Sequence, residues 1–230
     1  MLFSSSIFWA FYLLVLALLQ FNFLWIKSCR FMIIILLLAS YFFYGYWDWR
    51  FLGLIFIVTF QTYFLASCIE KFEQKKKSIL FTSIGINLLI LGYFKYADFF
   101  ISEFLLAFSI EKNFALENII LPVGISFYIF QSLTYLIDIY LKRMTTEKDP
   151  VKYFTFIAFF PQLVAGLIER ASTLLPQFNS IKGVQLKTLY PGIKMIIIGL
   201  FLKVFIADNI ASDVDIIFSN YLTYNGGTLL

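Results

Sequence analysis

The chain has 230 residues, of which 61% are hydrophobic and only 14% charged, with a formal net charge of +4 and no His. Soluble domains carry about 45–50% apolar and about 25% charged residues, so a soluble protein with one apolar core is excluded and the outer surface must itself meet lipid. The basic residues sit in short clusters between apolar runs, as membrane anchors do, which argues against a nucleic-acid-binding face.

In chain order, Met1–Ser6 lacks a basic leader, and the apolar run Ile7–Leu24 after it is too long for a signal core. It is expected to be a retained first span, flanked by Trp9 and Trp25 at the interfaces. Further spans are expected over Phe31–Trp47, Phe51–Ile69, Ile79–Phe94, Ile119–Tyr140, Tyr153–Ile168 and Tyr190–Ala207. Phe99–Ile110 is too short to cross and is expected to be interfacial or re-entrant. The expected fold is therefore all-α, with polytopic transmembrane helices: about seven spans, one of them broken or re-entrant. No repeat or flexible linker divides it, so residues 1–230 are expected to form one integral membrane domain.

Lys27 and Arg30 follow the first span, Lys71, Lys75, Lys76 and Lys77 the third, and Lys142, Arg143, Lys148 and Lys152 the fifth. The loops between them are poorer in positive charge. Basic loops stay cytoplasmic, which places the N-terminus outside. Cys29 and Cys68 lack metal-ligand spacing and are expected to be free thiols near the cytoplasmic face, with palmitoylation as the alternative.

Four segments do not fit a plain lipid-facing helix. In Leu121–Tyr140, Pro122 suits a first helical turn and Gly124 lets another backbone approach. Ser126, Gln131, Thr134 and Asp138 follow, and helical spacing puts Gln131, Thr134, Tyr135 and Asp138 on one face. Such a stripe must face protein or water: it either bonds between helices or lines a substrate path, and Asp138 is placed to pair with Lys142. In Phe159–Arg170, Pro161 breaks its helix, Gln162 is placed to satisfy a freed backbone group, and Gly166 allows close approach. This is either a packing kink or a re-entrant loop; Arg170 either binds an anion or anchors the interface. Lys203, in an apolar run, either snorkels or pairs with a carboxylate such as Asp208. Lys95 and Asp98 among aromatics read as an interfacial belt.

The ordered segments Ser40–Trp47, Leu91–Tyr96, Leu121-Pro-Val-Gly-Ile-Ser-Phe127, Phe159-Phe-Pro-Gln-Leu-Val-Ala-Gly166 and Gly199–Asp208 resemble the membrane-bound O-acyltransferase family, in its bacterial branch acting on alginate and peptidoglycan. The resemblance implies a ring of tilted helices around a tunnel. It implies transfer of an acyl group, acetyl in this branch, from cytoplasmic acetyl-coenzyme A to hydroxyls of an extracytoplasmic polysaccharide. The donor would be a substrate, with no bound cofactor and no metal. Pro122, Gly124, Ser126, Gln131, Tyr135, Asp138, Pro161, Gln162, Gly166, Arg170, Lys203 and Asp208 would help form the tunnel wall or its structural supports. An extracytoplasmic acetyltransferase partner is also implied.

The family's catalytic base is a His, and this chain has none. Leu167 and Leu202 also stand where the pattern has Pro and a second basic residue. The expectation is an N-terminal portion of the family fold, inactive alone. The competing readings are a non-enzymatic membrane protein, or a subunit whose second chain supplies the rest, and a small transporter. The last would call for paired repeats, which are not seen.

Overall fold

In a computed structural model of the chain, residues 5–107, 120–163, 169–181, 183 and 185–219 are described, without side-chain detail for 98–107, 186 and 213. All regular structure among them is helical. Ile7–Lys182 form one compact unit, and Leu2–Ser6 with Gly183–Leu230 a second.

The first unit takes up α1 (Ser6–Phe21) from its second residue, Ile7, and the helix is prolonged by a π-helical turn over Asn22–Ile26. Lys27 ends it in the left-handed region at φ 55°, donating its N–H to the Asn22 carbonyl at 2.7 Å. Then come α2 (Cys29–Trp47), α3 (Leu52–Lys71) and α4 (Lys76–Ala107). The Ser28 hydroxyl accepts the Phe31 N–H at the start of α2, and Asp48 accepts that of Arg50 in the short turn before α3. Such side-chain acceptors satisfy donors that a helix start leaves free. The Arg50 hydrogen bonds hold the Asp48 carboxyl below its ordinary range. The unit closes with α5 (Ile125–Tyr140), α6 (Pro150–Ala158), the single turn α7 (Phe160–Leu163) and α8 (Ala171–Gln177). The second unit carries α9 (Leu186–Phe201), a π-helical turn over Leu202–Ala207, and α10 (Asp208–Ser219).

Among the described residues, five helical runs are long and apolar enough to cross a bilayer: Ser6–Ile26, Cys29–Trp47, Trp49–Lys71, Lys76–Ala97 and Lys187–Ser219. The protein is an integral membrane protein. Three details differ from the sequence expectation. The fifth span is shorter: α5 begins at Ile125 because Gly124 stands in the left-handed region at φ 75°, and its 16 residues fall short of a full crossing. The sixth is not one helix, since α6 ends at Ala158 and the chain turns at Phe159 (φ −54°, ψ 105°). Phe99–Ala107 forms no separate interfacial element but continues α4, with no Pro or Gly to stop it; residues 108–110 lie outside the described range.

In the first unit α3 packs against α4, α5 and α6, and α2 packs against α6. Ile55 and Val58 of α3, Tyr128 and Leu136 of α5 and Phe156 of α6 are fully buried there. Leu13, Leu38, Phe64 and Leu89 point outward. In lipid, burying an apolar side chain brings little hydrophobic gain, because the tails outside are as apolar as the core. Close packing and buried hydrogen bonds must hold the helices together, and buried Ser40, Thr62, Gln131 and Thr155 supply the latter by bonding to other elements, whereas buried Thr59 and Asn87 bond within their own helices.

Candidate functional site

The polar face of α5 looks into this interior. Gln131, Tyr135 and Asp138 are buried, while Thr134 and Ser126 are half-buried. Thr134 bonds locally, its hydroxyl donating to the Gln131 carbonyl at 2.8 Å.

Gln131 reaches across to the break in the next helix. In a continuous helix the Phe160 N–H would donate to the Phe156 carbonyl four residues earlier. The turn at Phe159 separates them, and each finds a side chain instead. Gln131 Nε2 donates to the Phe156 carbonyl at 3.0 Å. The Phe160 N–H donates to Ser40 Oγ, on α2, at 3.2 Å. Ser40 Oγ in turn donates to the Leu36 carbonyl at 2.7 Å. The Phe156 carbonyl is thus held by Gln131, from the neighbouring α5, and Gln162, which the sequence placed to satisfy a freed backbone group, is buried in α7. Pro161 falls in the first turn of α7, where it needs no N–H, and the Gln162 and Leu163 N–H groups both donate to the Phe159 carbonyl at 3.0 Å.

Gly124 receives the other end of α7. A Cβ there would stand 2.7 Å from the Leu163 carbonyl oxygen. Its φ of 75° also disfavours any side chain. Residues 121–124, with Pro122 buried beside Gly124, thus meet residues 159–163 directly, and these are the segments on which the family resemblance chiefly rests. Gly166 lies outside the described residues. Arg170 is exposed ahead of α8, its carbonyl accepting the Thr173 N–H.

A hydroxyl cluster lies deeper along α5. The Tyr135 and Tyr153 ring centroids are 4.7 Å apart. Tyr153 Oη donates to Thr62 Oγ1 at 2.9 Å, and Thr62 donates to the Val58 carbonyl at 2.7 Å. The Glu147 N–H donates to Tyr135 Oη at 2.9 Å, and Tyr63 Oη donates to the Lys148 carbonyl at 2.8 Å. The loop 141–149 is thereby strapped onto α3 and α5.

At the charged end Asp138 pairs with Arg143 at 3.5 Å, not with Lys142. The reason is backbone geometry. α5 closes with Lys142 at φ 58°, the Lys142 N–H bonded to the Ile139 carbonyl and the Arg143 N–H to the Asp138 carbonyl, each at 2.9 Å. This left-handed cap turns Lys142 outward to Glu73, beyond the end of α3. The Lys142 hydrogen bond, aided by its charge and that of Lys76, holds the Glu73 carboxyl below its ordinary value. A cavity of about 440 Å³ opens here, lined by Ile69, Glu70, Glu73, Lys142 and Arg143. Both cysteines are free, Cys29 exposed and Cys68 half-buried. In the second unit Lys203 pairs with Asp208 at 3.0 Å, and Lys95 of α4 lies over the Tyr96 ring at 5.4 Å.

The arrangement is rich in positioning contacts and poor in proton-transfer groups. No described cluster of His, Cys, Asp or Glu could hold a metal, and the buried carboxylate of Asp138 is engaged with Arg143. Ser40, Thr62 and Tyr153 were not among the residues singled out from sequence. Lone hydroxyl residues within apolar runs were the available signal, but their partners depend on packing.

No protein-family model matches the chain, and no solved structure does. Curated proteins do. The chain is 34% identical over 217 residues to the probable alginate O-acetylase AlgI of Pseudomonas putida, covering 92% of this chain and 44% of that protein. It is 34% identical over 221 residues to that of Azotobacter vinelandii, covering 94% of this chain and 43% of the relative. It is also 33% identical over 208 residues to the peptidoglycan O-acetyltransferase of Helicobacter pylori, with 78% and 39% covered. Along nearly its whole length the chain is thus similar to a partial stretch of proteins named for O-acetylation of alginate and peptidoglycan. It spans less than half the length of these O-acyltransferase relatives.

Proposed function

We propose that this chain serves in O-acylation of an extracytoplasmic polysaccharide, as the section of a membrane-bound O-acyltransferase that builds the α5–α7 framework. The observation that carries the reading is identity of about a third along nine-tenths of the chain to alginate O-acetylases. The donor is acetyl-coenzyme A and the acceptor a glycan hydroxyl. Gln131, Gly124 and the α6–α7 break act as supports of the reaction path. The general base is a His, and the 230 residues contain none. The isolated chain is therefore expected to transfer no acyl group; the base comes from sequence outside it. We place the chain in the inner membrane with its N-terminus outside. The basic ends of α3 and α5 support that orientation, because the Lys142–Glu73 pair and the Tyr63–Lys148 bond put them on one side.

The test is a chimera in which this chain replaces the matching region of the Pseudomonas putida relative. Acetyl transfer from labelled acetyl-coenzyme A to alginate is measured in membranes, alongside the bare chain. Transfer by the chimera, and none by the bare chain, is expected. A chimera that inserts and purifies as a single species yet transfers nothing overturns the reading.

A further inference from the structure

The helical run Lys187–Ser219 is 33 residues long, which at 1.5 Å per residue is about 50 Å. The hydrocarbon layer is about 30 Å thick. Tyr190–Ala207 alone covers about 27 Å, so the twelve residues of α10 extend beyond the lipid tails if the helix runs straight.

α10 is not built to stand in water. Ile210, Val214, Ile217 and Phe218 share one face at helical spacing, and all are exposed. Asp208, Ser212, Asp215 and Ser219 line the opposite face. An apolar stripe backed by a charged and polar face is the general form of a helix lying in a bilayer surface, here without the Lys and Arg that such helices commonly carry.

The junction before it is shaped for a bend. Leu202–Ala207 is a π-turn. Lys203 and Asp208 are five residues apart, which in an α-helix would set them about 140° apart around the axis. The widened turn brings them to one side, where Lys203 Nζ reaches Asp208 at 3.0 Å. Just beyond, Asn209 Nδ2 donates to the Phe205 carbonyl at 2.6 Å and Ser212 Oγ to that of Asn209 at 2.7 Å. Side chains that bond backward to backbone carbonyls favour bending and satisfy the groups a bend opens.

We propose that α10 is an interfacial helix. The chain leaves the hydrocarbon at Asp208, bends at the π-turn and lays the Ile210–Val214–Ile217–Phe218 face into the boundary between headgroups and acyl chains. The acidic face looks to water. The occupant of the apolar face is the bilayer itself, because the stripe continues a membrane span with no intervening loop. α10 carries no basic residue, so its seating does not depend on anionic lipid.

The test uses the whole chain in nanodiscs, on a Cys29→Ser, Cys68→Ser background. Nitroxide labels are placed singly at Ile210, Ser212, Val214, Asp215 and Phe218, with Phe60 on α3 as a lipid-facing reference. Collision with oxygen and with a water-soluble nickel chelate gives each depth. Labels at 210, 214 and 218 should lie about 5–10 Å below the headgroups and those at 212 and 215 in water, alike in phosphatidylcholine and phosphatidylglycerol discs. Val214→Asp with Phe218→Asp should lift the label at 210 into water while the Phe60 label keeps its depth. Depth that changes steadily along α10 would mean a continued span. Uniform nickel access would mean a helix projecting into solvent, and shielding from both reagents a helix packed on protein. Any of these three overturns the proposal.

Discussion

α5 and the run Lys187–Ser219 are both apolar helices with polar residues set into them, yet they settle those residues in opposite ways. Gln131 and Tyr135 of α5 bond to groups 25 and 12 residues away. Lys203, Asn209 and Ser212 bond within five residues along their own helix. A polar group with a distant partner fastens one helix to another; one with a local partner only makes its own helix tolerable in lipid. The first kind should be costly to remove from the assembled protein and the second nearly neutral.

The largest expected effect is Gly124→Ala. The left-handed backbone alone costs about 1–2 kcal/mol for a side chain, and the Cβ would also press into the Leu163 carbonyl at 2.7 Å. We expect a loss of about 3 kcal/mol or more in a reversible unfolding titration in mixed micelles, with a more protease-sensitive α6–α7 segment. Next come Gln131→Leu and Ser40→Ala, each leaving one buried group of the break unpaired at about 1–3 kcal/mol. They should be non-additive in a double-mutant cycle, since both hold the same turn; strict additivity would show that the break is held otherwise. Lys203→Met is the contrast. It should leave the unfolding of the first unit unchanged, and a loss as large as that of Gln131→Leu would break the comparison.

Two smaller effects sharpen it. Lys27→Gly relieves the φ of 55° at the end of the first span and should raise stability by about 0.5–1 kcal/mol. The Glu73–Lys142 contact should show in the pH dependence. The folded carboxyl lies below its ordinary value of 4.5, so its contribution is present above that pH and fades as pH falls through the depressed value. A melting series from pH 6 to 3 on the parent and Glu73→Gln should converge at the acid end; parallel curves would show that the pair contributes nothing.

The spans over α2 and α3 were legible to within about two residues from hydropathy alone, because long apolar runs have little else to become. The close approach at Gly124 was also readable, from a Gly following a Pro at a helix start. The stripe of Gln131, Tyr135 and Asp138 followed from a period of 3.6 residues. Partners did not follow. Which amide meets the Phe156 carbonyl depends on α5 lying beside α6, a contact no local pattern encodes. Lys142 was paired with Asp138 on helical spacing, which fails two residues past the end of the helix, where the chain has turned left-handed. The position of the break was likewise shifted, since Pro161 marks the start of the new turn and the bend itself falls at Phe159.

The broken turn between α6 and α7 bears on the order in which the protein can be made. Its unpaired N–H and carbonyl would be severe liabilities in a nascent helix entering lipid. Both groups that receive them, on Ser40 and Gln131, are synthesised earlier than Phe159. When the break emerges from the insertion machinery, its two receptors already wait in the membrane. A circular permutation that translated α6 and α7 before α2 and α5 would remove that advantage, so the same contacts would be reached only after exposing the break to lipid.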